Sequence, residues 1–144
     1  TPHRFTVHVQ FQNGVLMEIT SEGRNGILVE GTKGRIFVNR GTIAGKPIED
    51  LASQPLPGNW LEEKYGGPVV EHVHNFFNCI ASRKKPASDV WTHIQSINTC
   101  HLSNIAIRLN RQIQWDAKTQ TIKADPVANA MLKRDFRKGY EIEL

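Results

Sequence analysis

Asp89–Asp116 reads DVWTHIQSINTCHLSNIAIRLNRQIQWD, and this stretch decides the fold. Ser88 or Asp89 offers an N-cap, and the spacing predicts a helix from there to about Asn110. Val90, Ile94, Ile97, Ile105 and Leu109 fall on one side of it. Ser96, Thr99, Cys100 and Ser103 fall on the other, where small side chains permit close approach of a second element. The helix runs directly into a short strand ending at Trp115-Asp116. A long helix joined to strands, and covered on more than one side, is the centre of an α+β domain.

Upstream lies a shorter helix. Val69, Val73, Phe76, Phe77 and Ile80 recur at helical spacing, starting at Gly67-Pro68 and stopping before Pro86. Residues 50–67 carry Pro55, Pro57, Gly58 and Gly66-Gly67 and read as a loop. A loop of that length is often functional. Trp60 and Tyr65 within it, and His72 flanking the apolar stripe, are the candidates for a pocket wall. The competing role for the two aromatic residues is to anchor the loop.

The first 46 residues read as strands. Phe5, Val7, Val9 and Phe11 alternate with polar residues. A two-residue Asn13-Gly14 turn would mix the faces. A three-residue loop, Gln12-Asn13-Gly14, pairs Phe11 with Val15, Val9 with Met17 and Val7 with Ile19, leaving Gly14 left-handed. In the next hairpin a Thr32-Lys33 turn pairs Val29 with Ile36, Ile27 with Val38 and Glu30 with Arg35. Leu28 and Phe37 then share the opposite face, so both faces are apolar in places and both need covers. A short fifth strand is expected within residues 41–46. Downstream, Gln112–Trp115 and Thr121–Lys123 form a hairpin, and Asp125-Pro126 starts a third helix ending near Arg134. The tail from Phe136 to Leu144 is expected to lie over the surface.

The 144 residues suffice for one domain burying roughly 68–70% of its unfolded surface. Net charge is +4, with the densest basic groups at Arg83-Lys84-Lys85 and Lys133-Arg134. Neither forms a stripe interleaved with aromatic residues, which argues against a nucleic-acid surface. No apolar run approaches the ~20 residues of a membrane span. Cys79 and Cys100 are too few for a disulfide framework and are expected to be small buried hydrophobes.

Chemistry-bearing motifs are sparse. His72 and His74 point about 200° apart on a helix and cannot chelate one metal. His93 and His101 are separated by about 12 Å of helical rise. His101 lies within the apolar stripe beside Asn98 and is expected to be buried with a polar partner. Gly26–Lys33 approaches a phosphate loop, but Thr32 precedes Lys33, and the Gly-Lys-Thr/Ser order is required. No G-x-G-x-x-G follows a strand, and no G-x-S-x-G or metalloprotease helix is present.

Phe11-Gln12-Asn13-Gly14-Val15, Gly31-Thr32-Lys33-Gly34-Arg35-Ile36, Asn75–Ile80, Ser82–Pro86 and Cys100–Ala106 followed by Trp115-Asp116 occur in this order. That series resembles the C-terminal domain of the glucose–fructose oxidoreductase / inositol dehydrogenase (Gfo/Idh/MocA) family, nearest its bacterial branch. The resemblance implies an open, largely antiparallel or mixed sheet with two main helices on one face, like the C-terminal domain of dihydrodipicolinate reductase. It implies that residues 1–144 are one C-terminal domain of a longer protein, consistent with a start at Thr1. An N-terminal Rossmann domain would hold NAD or NADP, and this chain itself would bind no cofactor.

The family's lysine lies in an E-K-P motif. Here Lys46-Pro47 follows Gly45, and Lys84-Lys85-Pro86 follows Arg83, so neither inherits its role. No catalytic residue carries over, and no metal ligand is expected. The partners implied are the Rossmann domain and a second copy meeting the sheet face, with no nucleic acid and no membrane. The sequence leaves the compartment open; the cytoplasm is favoured, with the periplasm the alternative if an upstream signal was removed. The implied activity of the whole protein is hydride transfer to or from a sugar, polyol or related carbonyl compound. The alternative is a non-enzymatic dimerisation module.

Overall fold

The computed structural model describes residues 3–65 and 70–141. In chain order the elements are β1 (Thr6–Gln10), β2 (Leu16–Thr20), β3 (Ile27–Gly31), β4 (Gly34–Val38), β5 (Ile43–Ala44), α1 (Lys46–Ser53) and α2 (Trp60–Tyr65). They continue as α3 (His72–Ser82), α4 (Val90–Leu109), β6 (Trp115–Asp116), β7 (Thr121–Ile122) and α5 (Pro126–Ala130). The chain forms two compact units, one of residues 1–22 with 90–144 and one of residues 23–89.

The α+β class stands, and every strand pairing among the described residues is antiparallel. The strands are divided among three sheets, β1-β2, β3-β4-β5 and β6-β7, where one open sheet was expected. All three are built by chain neighbours through short connections. Alternation and turn chemistry specify such local pairs; pairing between hairpins depends on contacts distant in sequence.

In the first unit the β1–β2 register is the one expected, with Val7 opposite Ile19 and Val9 opposite Met17. The Phe11 amide donates to the Val15 carbonyl at 2.9 Å, and Gly14 takes φ 85°. Helix α4 packs against β1. Its C-terminal half contributes Ile105, buried with Ile122 and Ala128 and flanked by Leu102, Leu109, Ile113, Trp115 and Met131. Burying an isoleucine side chain is worth about 1.5–3 kcal/mol. Asn110, at φ 50°, ends α4: its amide donates to the Ile107 carbonyl and that of Arg111 to the Ala106 carbonyl, the Schellman arrangement.

The expected faces of α4 are only partly realised. Ser103 and Ile105 are buried, but Val90 and Ile97 are exposed. His101 is exposed rather than buried with a polar partner, and Cys100 is exposed and Cys79 half-buried. Helical periodicity defines a stripe along the whole helix, whereas the core covers only its last turns. The small polar residues satisfy themselves within the helix. Ser96, Thr99 and Ser103 each donate to the carbonyl four residues earlier.

In the second unit β3–β4 has the expected register, Ile27 opposite Val38, Val29 opposite Ile36 and Glu30 opposite Arg35. Ile43–Ala44 supplies the expected short strand. Residues 50–67 depart from the loop reading: α1 ends within them and α2 lies inside them. Pro47 sits in the first turn of α1, where a missing N–H costs nothing, and Ile48 and Leu51 are spaced to face one way. α1 lies against β4 and β5. At Gly45, φ 130°, the chain passes so close to β4 that a β-carbon would meet the Arg35 carbonyl.

Helix α3 begins after Glu71; the expected start at Gly67-Pro68 lies outside the described residues. It ends before Pro86, with Arg83 left-handed at φ 57°. The Ala87 amide donates to the Asn75 side chain at 2.9 Å, folding the exit back onto the helix. The third helix expected to reach Arg134 is shorter, Pro126–Ala130.

Candidate functional site

The three sequence candidates belong to two helices. Trp60 opens α2, half-buried, its amide donating to the Pro57 carbonyl at 3.0 Å. Tyr65 is the last residue of α2, and its side chain lies outside the described residues. His72 is the first residue of α3 and is exposed. Residues 66–69, which join these helices, also lie outside the described residues. A shallow open depression of about 360 Å³ occurs elsewhere, lined by Asn25, Gly26, Ile27, Val38, Asn39 and Arg40. It includes none of the three candidates.

Among the described residues no cluster of His, Cys, Asp or Glu is arranged to hold a metal. No helix among them is long and apolar enough to cross a membrane. His8 stands 3.6 Å from Glu18 across β1–β2, and Glu30 stands 3.6 Å from Arg35 across β3–β4. Both pairs are solvent-exposed, and the Glu30–Arg35 ion pair is worth about 0–1 kcal/mol.

What the second unit presents is apolar surface. Ile27 and Val29 of β3 share a sheet face with Ile36, Val38 and Ile43, and Leu28 shares the other with Phe37 and Ala44. Ile27, Leu28, Val29 and Ile43 are all more than half exposed. Helix α3 adds Val73, Phe76, Phe77 and Ile80, with the two phenylalanine rings edge-to-face at 5.7 Å. The guanidinium of Arg24 lies over the Phe37 ring at 4.5 Å. This chemistry suits docking and packing rather than proton transfer.

Sequence reasoning missed a polar clasp in the first unit. Arg111 donates to both carboxylate oxygens of Asp125, from Nη2 at 2.7 Å to each and from Nε at 3.1 Å. The Ala128 amide donates to the same carboxylate, which caps α5. The Arg111 hydrogen bond, then that of Ala128, hold the Asp125 carboxyl below the usual range, against the opposing effect of burial. The Asn129 side chain accepts from the Ile122 amide at 2.8 Å and donates to the Ile122 and Asp125 carbonyls. Asp125-Pro126 signalled the cap, but nothing local marked Arg111 or Asn129 as its partners.

The strands and helices define an α+β domain. A family model described as "Oxidoreductase family, C-terminal alpha/beta domain" matches residues 3–142. The chain belongs to that family, the Gfo/Idh/MocA oxidoreductases, as its C-terminal domain. No curated protein and no solved structure matches it.

Proposed function

We propose that this domain serves an NAD(P)-dependent oxidoreductase acting on a sugar, polyol or related carbonyl compound. The observation that carries the reading is the family match over residues 3–142. The domain supplies scaffold, a pocket wall to which Trp60, Tyr65 and His72 contribute, and a subunit interface through the face bearing Ile27, Val29, Ile36, Val38 and Ile43.

The chain's own residues do not fit a dinucleotide. The sequence lacks G-x-G-x-x-G, and the described strands form antiparallel hairpins rather than the parallel βαβ unit that aims a helix N-terminus at a pyrophosphate. Cofactor and hydride chemistry therefore belong to an N-terminal Rossmann domain, and no catalytic step is assigned to residues of this chain.

Calorimetry on the 144-residue chain with NAD⁺ and NADP⁺ tests the division of labour. No binding is expected, and micromolar affinity for either nucleotide overturns it. The full gene product, assayed for nicotinamide reduction against a panel of sugars and polyols, is expected to turn over at least one. A gene product with no upstream G-x-G-x-x-G would favour a non-enzymatic dimerisation module of the same fold.

A further inference from the structure

The turn before Val15 places two demands on one residue. At φ 85° the chain calls for glycine at position 14. Glycine is also the follower that leaves an asparagine most reactive, because no β-carbon keeps its amide nitrogen from the side-chain carbonyl. Asn13 and Gly14 are both exposed. The closed turn holds both reacting groups. The Gly14 amide donates to the Phe11 carbonyl at 3.0 Å, which ties up the nucleophile. The Asn13 side-chain oxygen accepts from the Val15 amide at 3.2 Å, an Asx turn that fixes the electrophile. The Phe11 amide closes the loop on the Val15 carbonyl at 2.9 Å. All of these bonds lie within residues 11–15, so they belong to the hairpin alone.

We propose that Asn13 is a site of spontaneous deamidation gated by the β1–β2 hairpin. When the turn opens, the Gly14 nitrogen bonds to Cγ of Asn13, the Cγ–Nδ2 bond breaks, and the amide proton leaves with that nitrogen as ammonia. Water then opens the succinimide. Cleavage of the ring bond to Cγ gives aspartate; cleavage of the ring bond to the main-chain carbonyl carbon gives isoaspartate. Isoaspartate carries the chain through Cβ and Cγ, which lengthens the loop by a methylene. The register that sets Val9 opposite Met17 needs the loop at its original length. Opening followed by reaction is therefore one-way, and it loosens the strand on which α4 packs. In the folded chain the reaction runs at the open-turn rate multiplied by the fraction of open turns. It consumes only water, so it is independent of the oxidoreductase reading.

Peptide mapping of the 144-residue chain, aged at neutral pH with and without urea, tests the site and its gate. Asn13 should deamidate readily in urea and at least about ten-fold more slowly in the folded chain, an opening cost of about 1.4 kcal/mol or more. Val9→Gly weakens β1 without touching the turn and should raise the folded-chain rate several-fold. Equal rates with and without urea, or a Val9→Gly rate no higher than that of the parent chain, overturn the gate. Failure of Asn13 to react in urea overturns the site itself. The isoaspartate form, separated by ion exchange, should unfold at lower urea than the parent chain. An equal midpoint overturns the one-way step.

Discussion

Asp125 joins three things in a few ångströms: the first turn of α5, Arg111 two residues beyond the end of α4 and, through Asn129, strand β7. A carboxyl held below its ordinary value in the folded chain contributes stability above the unfolded pKa. That contribution is lost as pH falls through the lowered value. Folding stability should therefore start to decline near the ordinary carboxylate range, about pH 4, and keep declining below it. Asp125→Asn keeps a capping oxygen but not the charge. Its denaturant midpoint should depend less on pH across that acid range, and a dependence as steep as that of the parent chain would contradict the assignment. The sequence made the cap legible, because Asp-Pro before a helix is a local signal. The guanidinium comes from 14 positions upstream, and His101 was misplaced for a related reason. Whether a residue on a helix is covered depends on what lies beside that turn, not on the turn itself.

The hairpins are where sequence and structure agree most closely. Face matching alone selects the three-residue loop before Val15 and the Thr32-Lys33 turn, because a one-residue slip would move every apolar side chain to the wrong face. Helix α1 shows the limit of the same reasoning. Proline and glycine around it look like breakers, yet Pro47 occupies the one turn that tolerates it. Gly45 is needed because α1 leaves β5 with its backbone against Arg35 and Ile36 at a left-handed φ. Gly45→Ala should destabilise the second unit by about 1–3 kcal/mol, the range for forced backbone strain. Gly58→Ala, with open space around it, should stay within about 0.5 kcal/mol. Paired urea melts compare the two; equal effects would remove the close-approach argument.

At the scale of the whole molecule, both units expose large apolar side chains, while the buried hydrophobic cluster belongs to the first. Large apolar patches mark association. If the sheet face meets a second copy, Ile43→Lys should weaken self-association by about ten-fold, equivalent to about 1.4 kcal/mol. Sedimentation over a concentration series measures it. An unchanged dissociation constant would remove Ile43 from the interface.

The sequence by itself determined the family, the α+β class, the helix and strand order apart from α1 and α2, and the registers of both β-hairpins tested by pairing. Each of these is written in short-range spacing: period two, period 3.6, turn residues and an ordered set of short motifs. Tertiary structure alone decided which turns of α4 are buried, that Arg111 and Asn129 close on Asp125 and Ile122, and that the strands divide into three sheets. Those outcomes depend on contacts between different elements, such as that of Arg111 with Asp125, 14 residues on. Closing such contacts costs loop entropy that no local pattern records.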